Sequence, residues 1–274
     1  MKIASYNIMS GGFNTYTYDV NDPIRLDLLK KTLNNIDADF IGLVDTFRWK
    51  DIFSENNLKN IFNYKYAFCI NSEDKWVDPN IGSTILTNLP LKEVKSFRIS
   101  TTNCIKAVVE FNGKLINIYT VYLNYLYESR RMEQIKYLLG KAKKKNSIIM
   151  GDLNSVAPED KNELKKNFQK FIDTHPKFKK RNDYDYYIEK MNGLYKTQVI
   201  PTIRKSGFKD ADRKYSNPTA FTKLYGHDVP VSIFRLDYIL HTPDIKINNY
   251  IVMKGGIFEK ASDHYPIVGE FQLN

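Results

Sequence analysis

The stretch Ser262-Asp263-His264-Tyr265-Pro266-Ile267-Val268 sets an acid and an imidazole side by side at the start of an apolar run that reads as a terminal strand. Three upstream segments share its character: Tyr6-Asn7-Ile8, Gly151-Asp152-Leu153-Asn154-Ser155 and Arg235-Leu236-Asp237-Tyr238-Ile239. Each is a short apolar run ended or interrupted by Asp, Asn or His. A strand with an otherwise apolar face does not bury a carboxylate without a partner or a metal. Four such strands in one chain predict a single metal-centred site at which they meet.

Length and composition bound the setting of that site. The 274 residues show no linker, so one domain spanning 1–274 is expected. Hydrophobic residues at 42% and aromatics at 14% are enough to fill a substantial core. No apolar run approaches the length needed to cross a bilayer, and the Met1-Lys2-Ile3-Ala4-Ser5-Tyr6-Asn7 start lacks the pattern of a secretory signal. A soluble, cytoplasmic protein is the expectation, with no protein partner indicated. Cys69 and Cys104 lack metal-ligand spacing and are too few for a disulfide framework, which predicts two reduced, half-buried thiols. The net charge of +10 fits a face that binds polyanions by counterion release. It fits equally the solvated lysines of a chain rich throughout in Lys, Asn, Ile and Tyr.

Apolar periodicity predicts sheets flanked by helices. Lys2 to Met9, Phe40 to Val44, Tyr64 to Ile70, Ile81 to Leu86, Cys104 to Phe111, Leu115 to Tyr122 and Ser147 to Met150 read as strands, with Asn112-Gly113 as a tight hairpin turn. Asp22-Pro23 opens a helix whose stripe is Ile24, Leu28, Leu29 and Leu33, and Ser129 to Ala142 is an amphipathic helix. Glu159 to Phe171 and Thr197 to Lys205 also read as helices. Between them, Lys177-Phe178-Lys179-Lys180-Arg181 and Tyr184-Asp185-Tyr186-Tyr187 read as a solvated charge run and tyrosines covering a helix, in preference to a stacking surface for phosphates. His175, His227 and His241 have no ligand-spaced neighbours and read as surface or core residues, while Asp210 and Asp212 read as capping groups.

To the four segments can be added Asp39-Phe40-Ile41-Gly42-Leu43-Val44-Asp45, Ile81-Gly82-Ser83-Thr84-Ile85-Leu86-Thr87 and Val121-Tyr122-Leu123-Asn124. In this order and spacing the set resembles the endonuclease/exonuclease/phosphatase superfamily, which includes deoxyribonuclease I, exonuclease III-like abasic endonucleases, sphingomyelinases and inositol polyphosphate phosphatases. The resemblance implies a four-layer α/β sandwich, two mostly antiparallel sheets face to face with helices outside and a cleft at one edge. It also implies a divalent-metal-dependent phosphodiester hydrolase using Mg²⁺, with Mn²⁺ as an alternative. A nuclease acting on DNA or RNA is the first reading. An enzyme of small or lipid phosphates, or a phosphate-binding module whose centre has decayed, are the alternatives.

Phosphodiester hydrolysis needs charge neutralised on the phosphoryl oxygens, an aligned water and a stabilised leaving oxygen. By resemblance Asn7, Asp45 and Asp263 sit at the metal, Asp152 orients or deprotonates the water, and Asn154 holds a phosphate oxygen. Asp237 fixes the tautomer of His264, whose other nitrogen meets the phosphate. Tyr122, Arg130, Asn217 and Thr219 are further candidates for substrate contact. Two positions depart from the family pattern. Asp45 stands where Glu is usual, a ligand shorter by one methylene, and Tyr122 stands where many members have His, as it does in the abasic-endonuclease branch. Read singly, Asn7, Asp152 and Asn154 could each be turn residues bonding their own backbone; the ordered set points to a site.

Overall fold

Alternation along the strands decides the layers, because successive side chains point to opposite faces. In β1 (Lys2–Asn7), Ile3 joins one buried cluster while Ala4 and Tyr6 join another, and β2 (Phe40–Val44) divides Phe40 from Ile41 and Leu43 in the same way. A strand buried on both faces belongs in the middle of a layered structure. The computed structural model describes residues 1–13, 25–71, 80–212, 217–225 and 232–273.

The first half of the chain continues with α1 (Leu26–Ile36), α2 (Trp49–Ile52) and α3 (Glu55–Phe62), then β3 (Tyr66–Asn71) and β4 (Gly82–Thr87). There follow β5 (Leu91–Ile99), β6 (Thr102–Phe111), β7 (Lys114–Tyr122), α4 (Glu128–Lys141) and β8 (Ser147–Asp152). Three helices, α5 (Lys161–Thr174), α6 (Tyr184–Leu194) and α7 (Val199–Lys205), precede β9 (Lys209–Asp210), β10 (Asp237–His241), β11 (Ile245–Val252) and β12 (Ile267–Leu273). The strands form two six-stranded sheets, ordered β11-β12-β1-β2-β4-β3 and β5-β6-β7-β8-β10-β9. Each sheet is antiparallel except for one central parallel pair, β1/β2 and β7/β8.

Ile3, Phe40, Ile85, Ile118, Ile148, Met150, Ile239 and Ile267 fill the space between the sheets. Leu29, Leu33, Leu58 and Phe62 carry α1 and α3 onto the outer face of the first sheet, and Ile135, Leu138, Val199 and Ile203 carry α4 and α7 onto that of the second. The expected four-layer sandwich is therefore observed. No described helix is long and apolar enough to cross a membrane.

Several expectations need adjustment. Cys69 and Cys104 are free but fully rather than half buried, at 1% and 0% exposure, because both point into strand faces covered by neighbours. The tyrosine-rich segment forms the helix α6, and β5, β11 and α3 are elements that the sequence pattern did not single out. Asp210 does not cap a helix. Its carboxylate accepts from Arg235 at 2.8 Å and Arg204 at 3.1 Å. His175 lies exposed against Phe171 and His241 is buried in β10. His227 and the expected helix opening at Asp22-Pro23 lie outside the described residues. Asn112 and Gly113 both take positive φ, the signature of the expected tight turn.

One glycine is required by the site itself. Gly151 adopts φ 142°, and a Cβ there would stand 1.8 Å from the Val121 carbonyl oxygen of the adjoining strand. Gly151→Ala must push β7 and β8 apart where they deliver Tyr122 and Asp152, so we expect a loss on the order of 3 kcal/mol in urea unfolding. A variant as stable as the parent would show that this strand pair yields where the packing says it cannot.

Candidate active site

Strand register draws the candidate residues into two facing rows. In the second sheet Tyr122 pairs with Asp152 and Asp152 with Asp237, so three adjacent strands carry one residue each in a line across the sheet. In the first sheet Asn7 ends β1, Asp45 directly follows β2, and Asp263-His264 lie just ahead of β12. The strand order β12-β1-β2 of one sheet opposes β10-β8-β7 of the other. The rows meet at the carboxyl ends of the two parallel pairs, where open sheets commonly bind ligands.

Hydrogen bonds bridge the sheets. Asn7 Nδ2 donates to Asp152 Oδ2 at 3.0 Å, and His264 Nδ1 bonds Asp237 Oδ2 at 2.7 Å. His264 Nε2 then lies 3.9 Å from Asp152 Oδ2, beyond hydrogen-bond range. Asp152 Oδ1 accepts from the Asn154 backbone amide at 2.8 Å, a turn closed by the left-handed conformation of Asn154, φ 45°. The Asn154 side chain donates to the Leu123 carbonyl at 3.1 Å, which uses one of its two amide hydrogens. Asn7 Oδ1 accepts from Met9 N at 2.9 Å, keeping one lone pair.

The supporting shell includes residues that sequence reasoning missed. Ser262 Oγ donates to the Asn7 carbonyl at 2.7 Å and ties β1 to the Asp263-His264 turn. Arg25, buried, donates to the backbone carbonyls of Ile8, Met9, Phe13 and Ala261, fastening the loop after Asn7 to the segment before Ser262. Buried Arg131 joins Glu128 at 2.9 Å and donates to the Asn124 carbonyl at 2.9 Å, beneath the Leu123-Asn124 turn. It is therefore a structural cation. Arg130, the candidate for substrate contact, is half-buried on α4.

Thr219, expected to contact substrate, holds backbone groups of two strands of the site. It is fully buried, and its hydroxyl accepts from the backbone amides of Leu236 at 3.0 Å and Asp237 at 3.2 Å. Its carbonyl also accepts from Tyr265 N at 2.7 Å, so one residue holds the strands of Asp237 and His264 together. Asn217 donates to both oxygens of Asp212 at 3.2 Å, alongside Asn248 to Val252 of β11. No local pattern could have revealed either partner.

Burial and crowding set the charges. Burial, then the charge of Asp237, push Asp152 up to about 7. Burial likewise lifts Asp45 to about 6, with Asp263 adding to the rise and the Ser10 amide opposing it. For His264 burial disfavours the cation, but Asp237, Asp263 and Asp152 together outweigh it and raise the group to about 10. Tyr122 is raised well above its ordinary value by burial and by Asp45, Asp152 and Asp263, which places its hydroxyl among the acids.

The donor set fits a hard cation. Asp152, Asp237 and Asp263 are at most 8% exposed, and Asp237 Oδ1 has no hydrogen-bond partner among the described residues. Buried carboxylates in such proximity repel one another, and a divalent ion relieves that repulsion. By spacing alone Asp152, Asp237 and His264 could hold an ion, with one donor atom each within 4.8 Å of the others. An imidazolium with both nitrogens protonated is no ligand, however, and Nδ1 is already bonded to Asp237.

In this constellation a protonated imidazole oriented by one acid faces a second acid across a carboxylate-rich cleft. The chain belongs to the Endonuclease/Exonuclease/phosphatase family, whose model matches residues 4–264. The members of this family are divalent-metal-dependent phosphoesterases. An AP endonuclease from Archaeoglobus fulgidus has a similar structure, with TM-score 0.66, 19% identity and 100% of each chain covered. A family protein from Leptotrichia buccalis gives 0.65 and 18%, again over 100% of each chain. A mannosyl-6-phosphatase from Bacteroides thetaiotaomicron gives 0.63 and 15% with the same coverage. Identities this low speak for the fold alone. None of the curated proteins compared with the chain matches it.

The charge arrangement has a measurable consequence. The folded pKa values of Asp45 and Asp152 lie above the unfolded value of 3.8, so the folded chain binds more protons than the unfolded one between about pH 4 and 7. Their contribution therefore falls as pH rises through that window. In chelator, Asp152→Asn should melt above the parent at pH 7.5, and its advantage should shrink at pH 5. Adding Mg²⁺ should raise the parent more than the variant. A variant that melts below the parent at pH 7.5 without metal would contradict this balance.

Proposed function

We propose that this chain hydrolyses phosphodiesters in nucleic acid with the help of Mg²⁺, Mn²⁺ being able to substitute. The observation that carries the reading is the row Asp237–His264···Asp152–Asn7, in which two cross-sheet hydrogen bonds fix an acid and a base on opposite sides of one cleft. Asn7, Asp45 and Asp263 are the residues we assign to the cation, which supplies neutralising charge at the phosphoryl and leaving oxygens when bound.

The protein's own groups divide the rest of the work. Asp237 accepts a hydrogen bond from Nδ1–H and leaves Nε2–H as a donor, so protonated His264 presents positive charge and a hydrogen bond to a phosphoryl oxygen. Asp152, held by Asn7 and the Asn154 amide, orients a water and accepts its proton. The free amide hydrogen of Asn154 and the hydroxyl of Tyr122 are further donors to the phosphate.

Aromatic rings favour a polynucleotide over a small phosphate. Tyr122 and Tyr186 lie near one another, as do Tyr186 and Tyr125, while the Phe221 ring lies edge-on 6.1 Å from the His264 ring. Bases stack on such faces with little regard to sequence. The net charge of +10 suits the same substrate. The deciding test is a panel of plasmid, abasic duplex, single strands, sugar phosphates, inositol phosphates and sphingomyelin, with metal and with chelator. Chelator-sensitive cleavage of a nucleic acid is expected. Turnover only of a small or lipid phosphate would replace the substrate assignment, and tight ligand binding without any turnover would make the chain a binding module.

Two substitutions test the roles. His264→Ala should lower kcat by roughly two to four orders of magnitude with the fold retained, the loss of one positioned donor. Asp45→Glu supplies the family's usual longer ligand and should keep or raise activity and Mg²⁺ affinity, as read by calorimetry. A folded His264→Ala variant with unchanged turnover would displace the active site from this cleft.

A further inference from the structure

Lys190 was not among the residues suggested by any motif, yet α6 carries it to the wall of the cleft. Its ammonium lies 5.8 Å from the centre of the Phe221 ring, which also packs near Phe234 and His264. Asp152 and Asp263 both act on its charge, and so does Arg131 from below. The side chain is half-buried, and no described carboxylate lies within ion-pair distance of it, although two acids of the site are near enough to attract it. A partly desolvated ammonium without a partner is costly. Exposed lysines of the same region, Lys177, Lys179 and Lys180, bear no such cost because water surrounds them.

We propose that Lys190 binds the phosphate next to the one being cleaved, and so selects a polynucleotide over a substrate with a single phosphate. This deepens the nuclease reading and rests on it. Phe221 packs near both Lys190, at 5.8 Å, and His264, at 6.1 Å, so the ammonium lies on the wall of the cleft, and the anion assigned to it is the phosphate beside the one facing His264 Nε2. The compact, flexible ammonium suits a backbone phosphate as a point charge. No motif could signal this, because α6 is joined to the site by packing through Phe221 and not by proximity in sequence.

The test compares the parent, Lys190→Met and Lys190→Arg on three substrates: an oligonucleotide, the same oligonucleotide with a neutral methylphosphonate beside the scissile link, and thymidine 5′-(p-nitrophenyl) phosphate. Circular dichroism checks the fold of both variants. Lys190→Met should raise KM for the oligonucleotide roughly tenfold with kcat changed much less, and Lys190→Arg should recover most of the loss. On the methylphosphonate the parent should already show the raised KM, and Lys190→Met should add little. On the thymidine ester the variant's defect should be several-fold smaller. Equal defects on the ester and the oligonucleotide would move Lys190 to the scissile phosphate and overturn the assignment. Oligonucleotide affinity by fluorescence anisotropy in chelator separates the two readings. If the parent binds but never cleaves it, the nuclease reading fails, while a tenfold weaker Lys190→Met still supports the phosphate contact. Unchanged KM and affinity in Lys190→Met sink the contact whether or not the parent cleaves.

Discussion

Two hydrogen bonds between opposing sheets govern this end of the molecule: Asn7 to Asp152 and His264 to Asp237. Elsewhere the sheets meet through apolar side chains, which tolerate sliding by fractions of an ångström. Buried carboxylates do not. Each unmet donor or acceptor at such a depth costs about 1–3 kcal/mol, so the two bonds fix the relative position of the sheets at one edge. Ser262, Arg25 and Thr219 reinforce that registry from three directions, each bonding backbone groups of segments far apart in sequence. The layered core brings the rows close, and the polar bridges decide how close.

This explains which parts of the site were legible in the sequence. Phe40–Val44 was read to the residue, and the other strands at the site to within a few, because apolar alternation and the Asn112-Gly113 turn are local signals. Asn7, Asp152, Asp237 and His264 come together as expected, since an acid at the end of an apolar strand has few places to go. The partners of Thr219 and Arg131 were not legible, for a common reason. Their side chains face backbone groups of other segments, and nothing in Asn217-Pro218-Thr219 or Arg130-Arg131 records that. Polar type and motif position can be read along a chain; the partner that turns a polar residue inward cannot.

Asp210 and Arg235 show the same limit in the second sheet. Arg235 precedes β10 and is nearly fully buried, with Asp160 and Asp210 each at 2.8 Å. In the sequence the Arg-Leu-Asp run looks like one motif. In the structure its two ends serve different ends: Asp237 faces the cleft, while Arg235 locks β10 to β9 and to the turn before α5. Regular alternation would put residues two apart on one side of the chain; the division arises because Arg235 lies ahead of β10 proper, where that alternation does not hold.

The charge distribution ties the site to its setting. A phosphate approaching the cleft meets Asp45, Asp152, Asp237 and Asp263, an environment that repels it until positive charge is supplied. His264 supplies one charge where Asp237 can hold it, and burial prevents water from screening either the attraction or the repulsion. Exposed lysines such as Lys177, Lys179 and Lys180 stand on solvated faces, where an ionic atmosphere screens them within about 10 Å at 0.1 M salt. The two sets of charges therefore act separately. Under the function proposed above, the surface would gather a polyanion in a salt-dependent way, whereas the cleft would admit its phosphate only when cation and imidazolium offset the acids. Asp45 is the most exposed of the four carboxylates and sits directly after β2 at the cleft edge, so a shortened side chain there falls where an ion can keep water in its shell.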